Sequence, residues 1–420
     1  MARREGIAMS SVSEIKRPRV LLFGYNGANN TGAEAKLLAT IEEMRALIPD
    51  AVLTVPSLDV DRLRRYLREA DDLRIVRVPT TYRRTVRRLV KESDLVVLVE
   101  GSCYIETFTK ALLDAYLWAT RCAHEFGKPC VAYAVDSGHC TEESVDKVRR
   151  DGSLTDLIIM RTRTGAERMR AWGVTAPIKV AADTALLMRT DPRDADILER
   201  SLPGGTVGIA AVDFFLFPVV PRPWGRRSRC YKWPYYFAWS RERRRAAAEL
   251  AQRFAELADR FVKEHDRNVA LLCMESVDDD LAKDILARMK CPERARIFSA
   301  TEHNASQMAS VLRSLDLLVT SRYHAGALSL EGHVPQIAIA HDVRLADLYD
   351  EIGMKDEFFF ERSAEGLWPQ VRAKADRLLN DPGEVRAQLA KAHEEHVIRA
   401  KSASGWVAEL LREKGWSVGP

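Results

Sequence analysis

The stretch RVLLFGYNGANNTGAEAKLLATIEEMRALI, residues 19–48, decides the fold class of this 420-residue chain. Its first five residues form an apolar run that predicts a buried strand, and the glycine- and asparagine-rich residues 24–30 predict a loop. A helix is expected to begin between Thr31 and Ala33, because apolar residues then recur every three or four positions. The unit is therefore a strand, a glycine-rich turn and an amphipathic helix.

The same unit recurs along the chain. Further strands of the first half are predicted at residues 94–98, 129–134, 157–160 and 178–180. The alternation pauses at residues 203–205 and then starts again, with strands predicted at residues 207–211, 269–273, 295–298, 317–320 and 336–340. Alternating strands and helices are typical of a doubly wound α/β domain with a mostly parallel sheet.

We therefore predict two doubly wound, Rossmann-like lobes that face each other across a cleft, followed by a helical C-terminal tail. The predicted units are a disordered leader at residues 1–18, an N-terminal α/β lobe at 19–203, a C-terminal α/β lobe at 204–380 and C-terminal helices at 381–420. Ligands of open α/β sheets bind at the carboxyl ends of the strands, so function is expected in the loops there.

Composition excludes several classes of protein. The chain has 64 Lys and Arg against 60 Asp and Glu, and this small excess argues against a protein that wraps nucleic acid. No apolar run is long enough for a membrane-spanning helix, and the first twenty residues lack the apolar core of a secretory signal. The seven cysteines form no Cys-x-x-Cys pair and the nine histidines have no metal-ligand spacing. We therefore expect reduced thiols, no metal and a cytoplasmic location.

Two loops of the first half are candidates for ligand binding. The loop at residues 24–30 contains Asn26 and Asn30, and backbone N–H groups at such a turn can hold an anion or a hydroxyl-bearing ligand. The alternative is a tight turn in which asparagines adopt left-handed conformations. The strand at residues 94–98 runs into Glu100-Gly101-Ser102, where Ser102 is either a helix cap or a ligand donor.

The most informative loop is Ser321-Arg322-Tyr323-His324, between an apolar strand and the start of a helix. Arg322 offers a bidentate fork for phosphate or carboxylate, and the helix N-terminus adds N–H donors. His324 can bind the same anion or transfer a proton. Arg344 follows the next strand and brings a second cation to the same edge. The alternatives are a structural histidine and a solvated charge.

Residues 214–239 combine aromatic rings with arginines after the first strand of the second half. Arg227 and Trp233 are the candidates from this segment, because aromatic rings stack on sugar rings and arginines bind phosphates. Contact with a polyanion or a membrane surface is also compatible with it. Single-stranded nucleic acid would need similar residues, but no nucleic-acid motif accompanies them, so we expect no nucleic-acid partner.

Over residues 19–355 the chain resembles the polysaccharide pyruvyl transferase family. GYNGANNTGAEAKLL is similar to the family's first strand, loop and helix, and DLIIMRTRTGAERMRAWGV to its middle segment. The most specific piece is LRSLDLLVTSRYHAGALSLEGHVPQIAIAHDVRLADLYDEIGM. It resembles the family's Arg-x-His motif, the helix behind the motif and a basic residue twenty positions past the histidine.

The resemblance implies a GT-B-like fold and transfer of the enolpyruvyl group of phosphoenolpyruvate to a saccharide or glycolipid. The product is a pyruvate ketal, phosphate is released, and no cofactor is implied beyond the co-substrate. The resemblance implies that His324 and Arg322 are catalytic and that phosphoenolpyruvate is bound by Arg322, His324, Arg344 and Arg161. The acceptor is then expected at Asn26, Asn30, Glu34, Ser102, Arg227 and Trp233.

Two other functions stay open. One is a sugar-nucleotide glycosyltransferase of the same two-lobed shape. The other is a catalytically silent carbohydrate-binding relative, because Ala33 stands where the family has aspartate and Glu100 replaces a glycine. The expected location is the cytoplasm, with peripheral contact at the inner membrane face as an option that residues 214–239 leave open.

Overall fold

The computed structural model describes residues 17–106, 109–227, 230–340 and 343–419. Residues 1–16 of the expected leader lie outside the described part of the chain. The strands are β1 Arg19–Phe23, β2 Val52–Ser57, β3 Leu73–Arg77, β4 Leu95–Leu98, β5 Cys130–Val135, β6 Leu157–Met160, β7 Ile178–Val180, β8 Thr206–Ala210, β9 Val219–Pro221, β10 Cys230–Lys232, β11 Tyr235–Phe237, β12 Asn268–Cys273, β13 Ala295–Ser299, β14 Leu317–Thr320, β15 Gln336–Ala340 and β16 Phe359–Glu361.

Helices alternate with these strands through both halves of the chain. They are α1 Thr31–Leu47, α2 Val60–Leu63, α3 Arg83–Glu92, α4 Lys110–Glu125, α5 Glu142–Lys147, α6 Arg163–Ala171, α7 Ile197–Ser201, α8 Arg241–His265, α9 Asp279–Arg288, α10 Ala305–Arg313, α11 Tyr323–Ser329, α12 Val343–Glu351, α13 Lys355–Phe358, α14 Leu367–Asn380 and α15 Gly383–Glu413. None of them, within the described ranges, combines the length and apolarity that a bilayer-spanning helix needs.

Two parallel sheets form the centres of the two lobes. The N-lobe sheet has the order β3-β2-β1-β4-β5-β6-β7, and the C-lobe sheet has the order β13-β12-β8-β14-β15-β16. In each sheet the chain begins at a central strand and winds outward in both directions, which makes the folds doubly wound. The predicted fold class of two facing α/β lobes is thus confirmed.

Burial on both faces explains why the strands are parallel. Every residue of β4, β5 and β12 is buried, and each of these strands reads as a nearly unbroken apolar run. Helices must therefore cover both faces of each sheet, which requires crossover connections between parallel neighbours. The winding places the switch points between β1 and β4 and between β8 and β14, at the loops that carry the sequence motifs.

A small antiparallel sheet of order β10-β11-β9 is inserted between β8 and α8. Tyr235 pairs with Pro221 and Phe237 with Val219, so the insert folds back on itself. It contains most of the aromatic and basic residues 214–239, and it extends from the C-lobe over the mouth of the cleft. Sequence periodicity did not predict these strands, since each is three residues long.

The C-terminal helices predicted at residues 381–420 form one continuous helix of 31 residues, α15. The hydroxyls of Ser402 and Ser404 donate to the carbonyls of Arg399 and Lys401, within the same helix. The first half of α15 buries Leu389 in the C-lobe core, and the second half buries Leu411 in the N-lobe core. The tail therefore packs across both lobes.

Candidate active site

The start of α1 in the N-lobe meets the end of β12 in the C-lobe. The amide N–H of Thr31 donates to the carbonyl of Met274 at 2.9 Å. Asn30 caps α1, since its Oδ1 accepts from the amide of Ala33 at 3.0 Å, and its Nδ2 donates to Glu275 Oε2 at 3.1 Å. Asn30 therefore both starts the helix and joins the two lobes.

His324 lies across this junction, in the first turn of α11. Its ring packs against Gly32 so closely that a Cβ there would lie 1.9 Å from Nδ1. Nε2 is 3.3 Å from Asp183 Oδ2, but among the described residues it makes no hydrogen bond of normal geometry. Burial lowers the pKa of His324, and the nearby Asp183 offsets only part of that shift. The imidazole is therefore neutral at neutral pH.

Asp183 is the anion behind His324. Its Oδ2 accepts from Arg161 Nη1 at 2.7 Å, and its Oδ1 lies 3.7 Å from Lys36 Nζ. Burial alone would raise the pKa of Asp183, but Lys36 and Arg161 outweigh it and hold the pKa well below its usual range. Arg161 Nε also donates to Asp136 at 2.9 Å. A permanent carboxylate is thus fixed next to the histidine.

Tyr323, the middle residue of the Arg-x-His motif, links this network to the C-lobe. The guanidinium carbon of Arg161 lies 3.6 Å from the centroid of the Tyr323 ring, a cation–π contact. The rings of Tyr323 and His324 meet edge to face at 5.1 Å. Arg161 is only 1% exposed, so it acts on the cleft through Asp183 and Tyr323.

Arg322 is held by two carboxylates of the C-lobe. Its Nε donates to Asp278 Oδ2 at 3.0 Å, its Nη2 donates to the other Asp278 oxygen, and its Nη1 donates to Glu275 Oε2 at 3.4 Å. Burial raises the pKa of Glu275 to about 7, and Arg322 opposes that rise. The charge of Arg322 is therefore shared with two buried acids.

Two tyrosines extend this cluster toward the insert. The hydroxyl of Tyr25, from the loop after β1, donates to Glu275 Oε1 at 3.4 Å and is hydrogen-bonded to the hydroxyl of Tyr231 in β10. Glu100, after β4, accepts from Ser102 Oγ at 3.2 Å. Its charge acts on the pKa values of His324, Tyr231 and Glu275, so Glu100 faces the same space.

A cavity of about 610 Å³ opens beside this cluster, between both lobes and the insert. Its lining includes Tyr25, Asp213, Tyr231, Lys232 and Glu275. Burial raises the pKa of Asp213 to about 7 and lowers that of Lys232 to about 8. A polar ligand in this cavity would contact groups that titrate near neutral pH.

The structure brings Asn30, Ser102, Arg322 and His324 to the cleft and places Asn26 and Glu34 elsewhere. Asn26 is buried, and its Nδ2 donates to the carbonyls of Pro56 and Leu22 at 3.1 and 3.4 Å. The loop is the left-handed turn of the alternative interpretation, with φ of 53° at Asn29. The carboxyl of Glu34 makes no regular hydrogen bond within the described residues, and burial raises its pKa to about 8 against the charge of Arg65.

The other expected contacts lie farther out. Arg344 is half-buried in the first turn of α12, and its neighbours His341 and Asp342 lie outside the described residues. Arg227 is exposed on the loop after β9. Trp233 is 56% exposed in the turn after β10, and its Nε1 donates to the carbonyl of Pro223 at 3.4 Å. Arg227 and Trp233 are therefore at the rim of the cleft rather than beside His324.

Sequence reasoning missed several residues of the site. Glu275 follows β12 by two positions, and Asp183 follows β7 by three, so both stand at strand ends. The strand-end signal that selected Arg322 would have selected them as well. Tyr25 sits in the first loop, but a lone tyrosine there has no distinguishing pattern.

Comparisons with known proteins identify the family and the fold. A family model, polysaccharide pyruvyl transferase, matches residues 30–343. No curated protein sequence matches the chain. Among solved structures, Anabaena HepE in complex with UDP has a TM-score of 0.56 at 13% identity, with 94% of this chain and 100% of that chain covered.

Two further solved structures share the fold. MnaA of S. aureus, solved with UDP, has a TM-score of 0.59 at 12% identity and covers 93% of this chain and 95% of its own. The UDP-GlcNAc 2-epimerase of Neisseria meningitidis, bound to UDP-GlcNAc, has a TM-score of 0.58 at 10% identity, with 94% and 100% covered. At such identities these structures establish the GT-B-type fold alone. The family match spans most of the chain, and the protein therefore belongs to the polysaccharide pyruvyl transferase family and is a transferase.

Proposed function

We propose that the protein transfers the enolpyruvyl group of phosphoenolpyruvate to two hydroxyls of a saccharide and forms a pyruvate ketal. One observation carries the proposal. Across the cleft, the ring of His324 packs on Gly32, and Asn30 is hydrogen-bonded to Glu275, the partner of Arg322. These contacts lie at the switch points of both sheets. Family membership supports the same reaction. A saccharide acceptor also fits a cavity lined by tyrosines and carboxyls.

The reaction needs one proton on carbon and one on the leaving phosphate. Protonation of the methylene carbon makes C2 electrophilic, and a first hydroxyl attacks C2. Cleavage of the bond between C2 and the phosphate oxygen then releases phosphate, and the second hydroxyl attacks C2 to close the ketal. The two hydroxyl protons balance the reaction, because one replaces the proton given to carbon and the other leaves on phosphate.

His324 is the proposed proton acceptor for the attacking hydroxyl. Its neutral imidazole can take a proton, and the fixed charge of Asp183 at 3.3 Å then stabilises the imidazolium. Arg161 is proposed as a positioning residue, since it holds Asp183 and Tyr323 from the interior. The proton can later be delivered to the departing phosphate.

Glu275 is the proposed proton donor to carbon. Its pKa of about 7 keeps part of it protonated at neutral pH, and Arg322, Asn30 and Tyr25 fix its orientation. Arg322 and Arg344 are the proposed cations for phosphoenolpyruvate. An anion that approaches Arg322 competes with Glu275 and favours its protonated form, so substrate binding and proton uptake are coupled.

The pH dependence tests the role of Glu275. Because the protonated form of the free enzyme is present below pH 7 and lost above it, we expect kcat/KM to fall as pH rises through about 7. Glu275→Gln should be slow and should lack this fall. A Glu275→Gln variant with the normal rate and pH profile would remove Glu275 from the reaction.

Phosphate release tests the function itself. With phosphoenolpyruvate and a panel of free and lipid-linked saccharides, we expect phosphate release together with a pyruvate ketal detected by mass spectrometry. His324→Ala should lose on the order of 100-fold in kcat or more. A loss of tenfold or less would exclude the proposed role of His324.

Sugar-nucleotide transfer is the second candidate, because solved structures of this fold bind UDP or UDP-GlcNAc. Thermal stabilisation by a nucleotide sugar, without stabilisation by phosphoenolpyruvate, would favour it. Binding of phosphoenolpyruvate with no phosphate release against any saccharide would indicate the catalytically silent relative.

A further inference from the structure

Exposed tryptophans and arginines lie together on the insert, in the segment after β9 and the turn after β10. We define the exposed strip as Val220, Trp224, Arg226, Arg227 and Trp233. Trp224 is 78% exposed and Trp233 is 56% exposed, while both arginines are also exposed. Single exposed apolar residues are ordinary, but neighbouring indoles beside cations mark an interaction surface.

The insert holds these side chains outward. Gly225 packs on Tyr236 so closely that a Cβ there would lie 2.5 Å from the ring, and Trp233 Nε1 donates to the carbonyl of Pro223. The guanidinium carbon of Arg222 lies 5.5 Å from the centroid of the same ring, and Arg222 Nη2 donates to the carbonyl of Phe237 at 3.1 Å. Residues 222–227 and the turn after β10 therefore lie side by side.

The charge of this region has one sign. Every charged residue between Asp213 and Glu242 is Lys or Arg. Indole rings prefer the headgroup region of a bilayer, and cations near the surface are attracted to an anionic leaflet. Tryptophan with arginine on a short protruding insert matches this environment in both polarity and charge.

We propose that the exposed strip docks on the surface of an anionic phospholipid bilayer. Trp224 and Trp233 lie in the headgroup region, and Arg226 and Arg227 contact lipid phosphates. The insert also places Tyr231 and Lys232 at the cavity beside Glu275, so docking turns the mouth of the cleft toward the membrane. Docking would also deliver a lipid-linked saccharide to the mouth of the cleft, and this one consequence rests on the proposed function.

Vesicle binding by the full chain tests the proposal. We expect co-sedimentation with vesicles of phosphatidylcholine and phosphatidylglycerol, weakened by salt, and little binding to phosphatidylcholine alone. The combined variant Trp224→Ser, Trp233→Ser, Arg226→Ser and Arg227→Ser should bind at least about tenfold more weakly, since its four exposed substitutions remove both sources of affinity.

A control variant tests whether vesicle binding depends on the exposed strip itself or on exposed charge and apolar surface anywhere on the protein. Ile398→Ser with Arg386→Ser removes an exposed apolar side chain and an exposed cation from α15 and should leave vesicle binding unchanged. Both variants should keep the melting temperature, and the control variant should also keep the rate with a soluble acceptor. The proposal is overturned if the strip variant binds vesicles like the parent, or if the parent ignores anionic vesicles and binds a soluble polyanion instead.

Discussion

At the scale of single residues, the position of the His324 ring depends on the absence of a side chain at Gly32. Because a Cβ at Gly32 would lie 1.9 Å from Nδ1, Gly32→Ala must displace the ring or separate the two lobes locally. A displacement of about 1 Å can cost on the order of 100-fold in rate, and we expect a loss of that size. Steady-state phosphate release measures it.

The same substitution elsewhere provides the control. Gly405 lies in α15, and apart from its chain neighbours and the adjacent helix backbone, no atom of the described residues lies within 4 Å of the position that an added methyl group would take. Gly405→Ala should therefore keep full activity and should not lower stability. Normal activity in Gly32→Ala would contradict the close packing of His324 on α1.

The buried carboxyl of Glu34 should make the free energy of unfolding depend on pH. Burial raises its pKa from 4.5 to about 8, so the native state keeps a proton that the unfolded chain has lost. The free energy of unfolding therefore falls as pH rises from 4.5 to about 8. At 1.4 kcal/mol per pKa unit, the fall is at most about 5 kcal/mol.

Glu34→Gln removes this titration. We expect the variant to match the parent in mild acid and to exceed it in stability above pH 8, as measured by denaturant unfolding across the pH range. If the parent is the more stable protein at alkaline pH, Glu34 has a partner that the structure does not account for.

At the scale of elements, α15 supports each lobe with a different half. Leu389 and Leu411 are both fully buried, the first in the C-lobe core and the second in the N-lobe core. We expect Leu389→Ala and Leu411→Ala each to cost about 2–4 kcal/mol. Hydrogen exchange should rise first in β8 and β12 for the former and in β1 and β2 for the latter. Identical exchange patterns would mean that the lobes unfold as one unit.

Strand ends explain how much of the site was predictable from sequence. Arg322 and His324 stand out because two chemically versatile side chains follow one apolar strand and open a helix. Glu275 follows β12 in the same way, so the strand-end signal applies to it too, but only the fold reveals its ion pair with Arg322, 47 positions away. Asn30 looked like a ligand donor, and its partner in the other lobe lies 245 positions away.

At the scale of the whole molecule, the doubly wound lobes were predictable and their contacts were not. Apolar periodicity reveals a parallel sheet, since each strand must be buried on both faces. Contacts between lobes depend on single polar side chains without periodicity. Glu351 accepts from the amide of Arg163 at 2.7 Å, and Arg65 donates to the carbonyl of Ala300 at 2.9 Å.

These contacts close the cleft around the site. Arg399 of the tail joins the same arrangement, because it donates to Glu351 at 2.9 Å and to the carbonyl of Ala181 at 2.6 Å. His324 from one lobe is therefore held against Gly32 and Asp183 from the other. In the proposed reaction, the bond between C2 of phosphoenolpyruvate and its bridging oxygen is broken within this closed arrangement.

The most direct measurement follows the bridging oxygen of phosphoenolpyruvate, isotopically labelled, in a reaction with a saccharide acceptor. Transfer of the enolpyruvyl group cleaves the bond between C2 and this oxygen. We therefore predict that mass spectrometry finds the label in the released phosphate and an unlabelled pyruvate ketal on the acceptor. Label retained in free pyruvate, with no ketal on any saccharide, would contradict the proposed reaction.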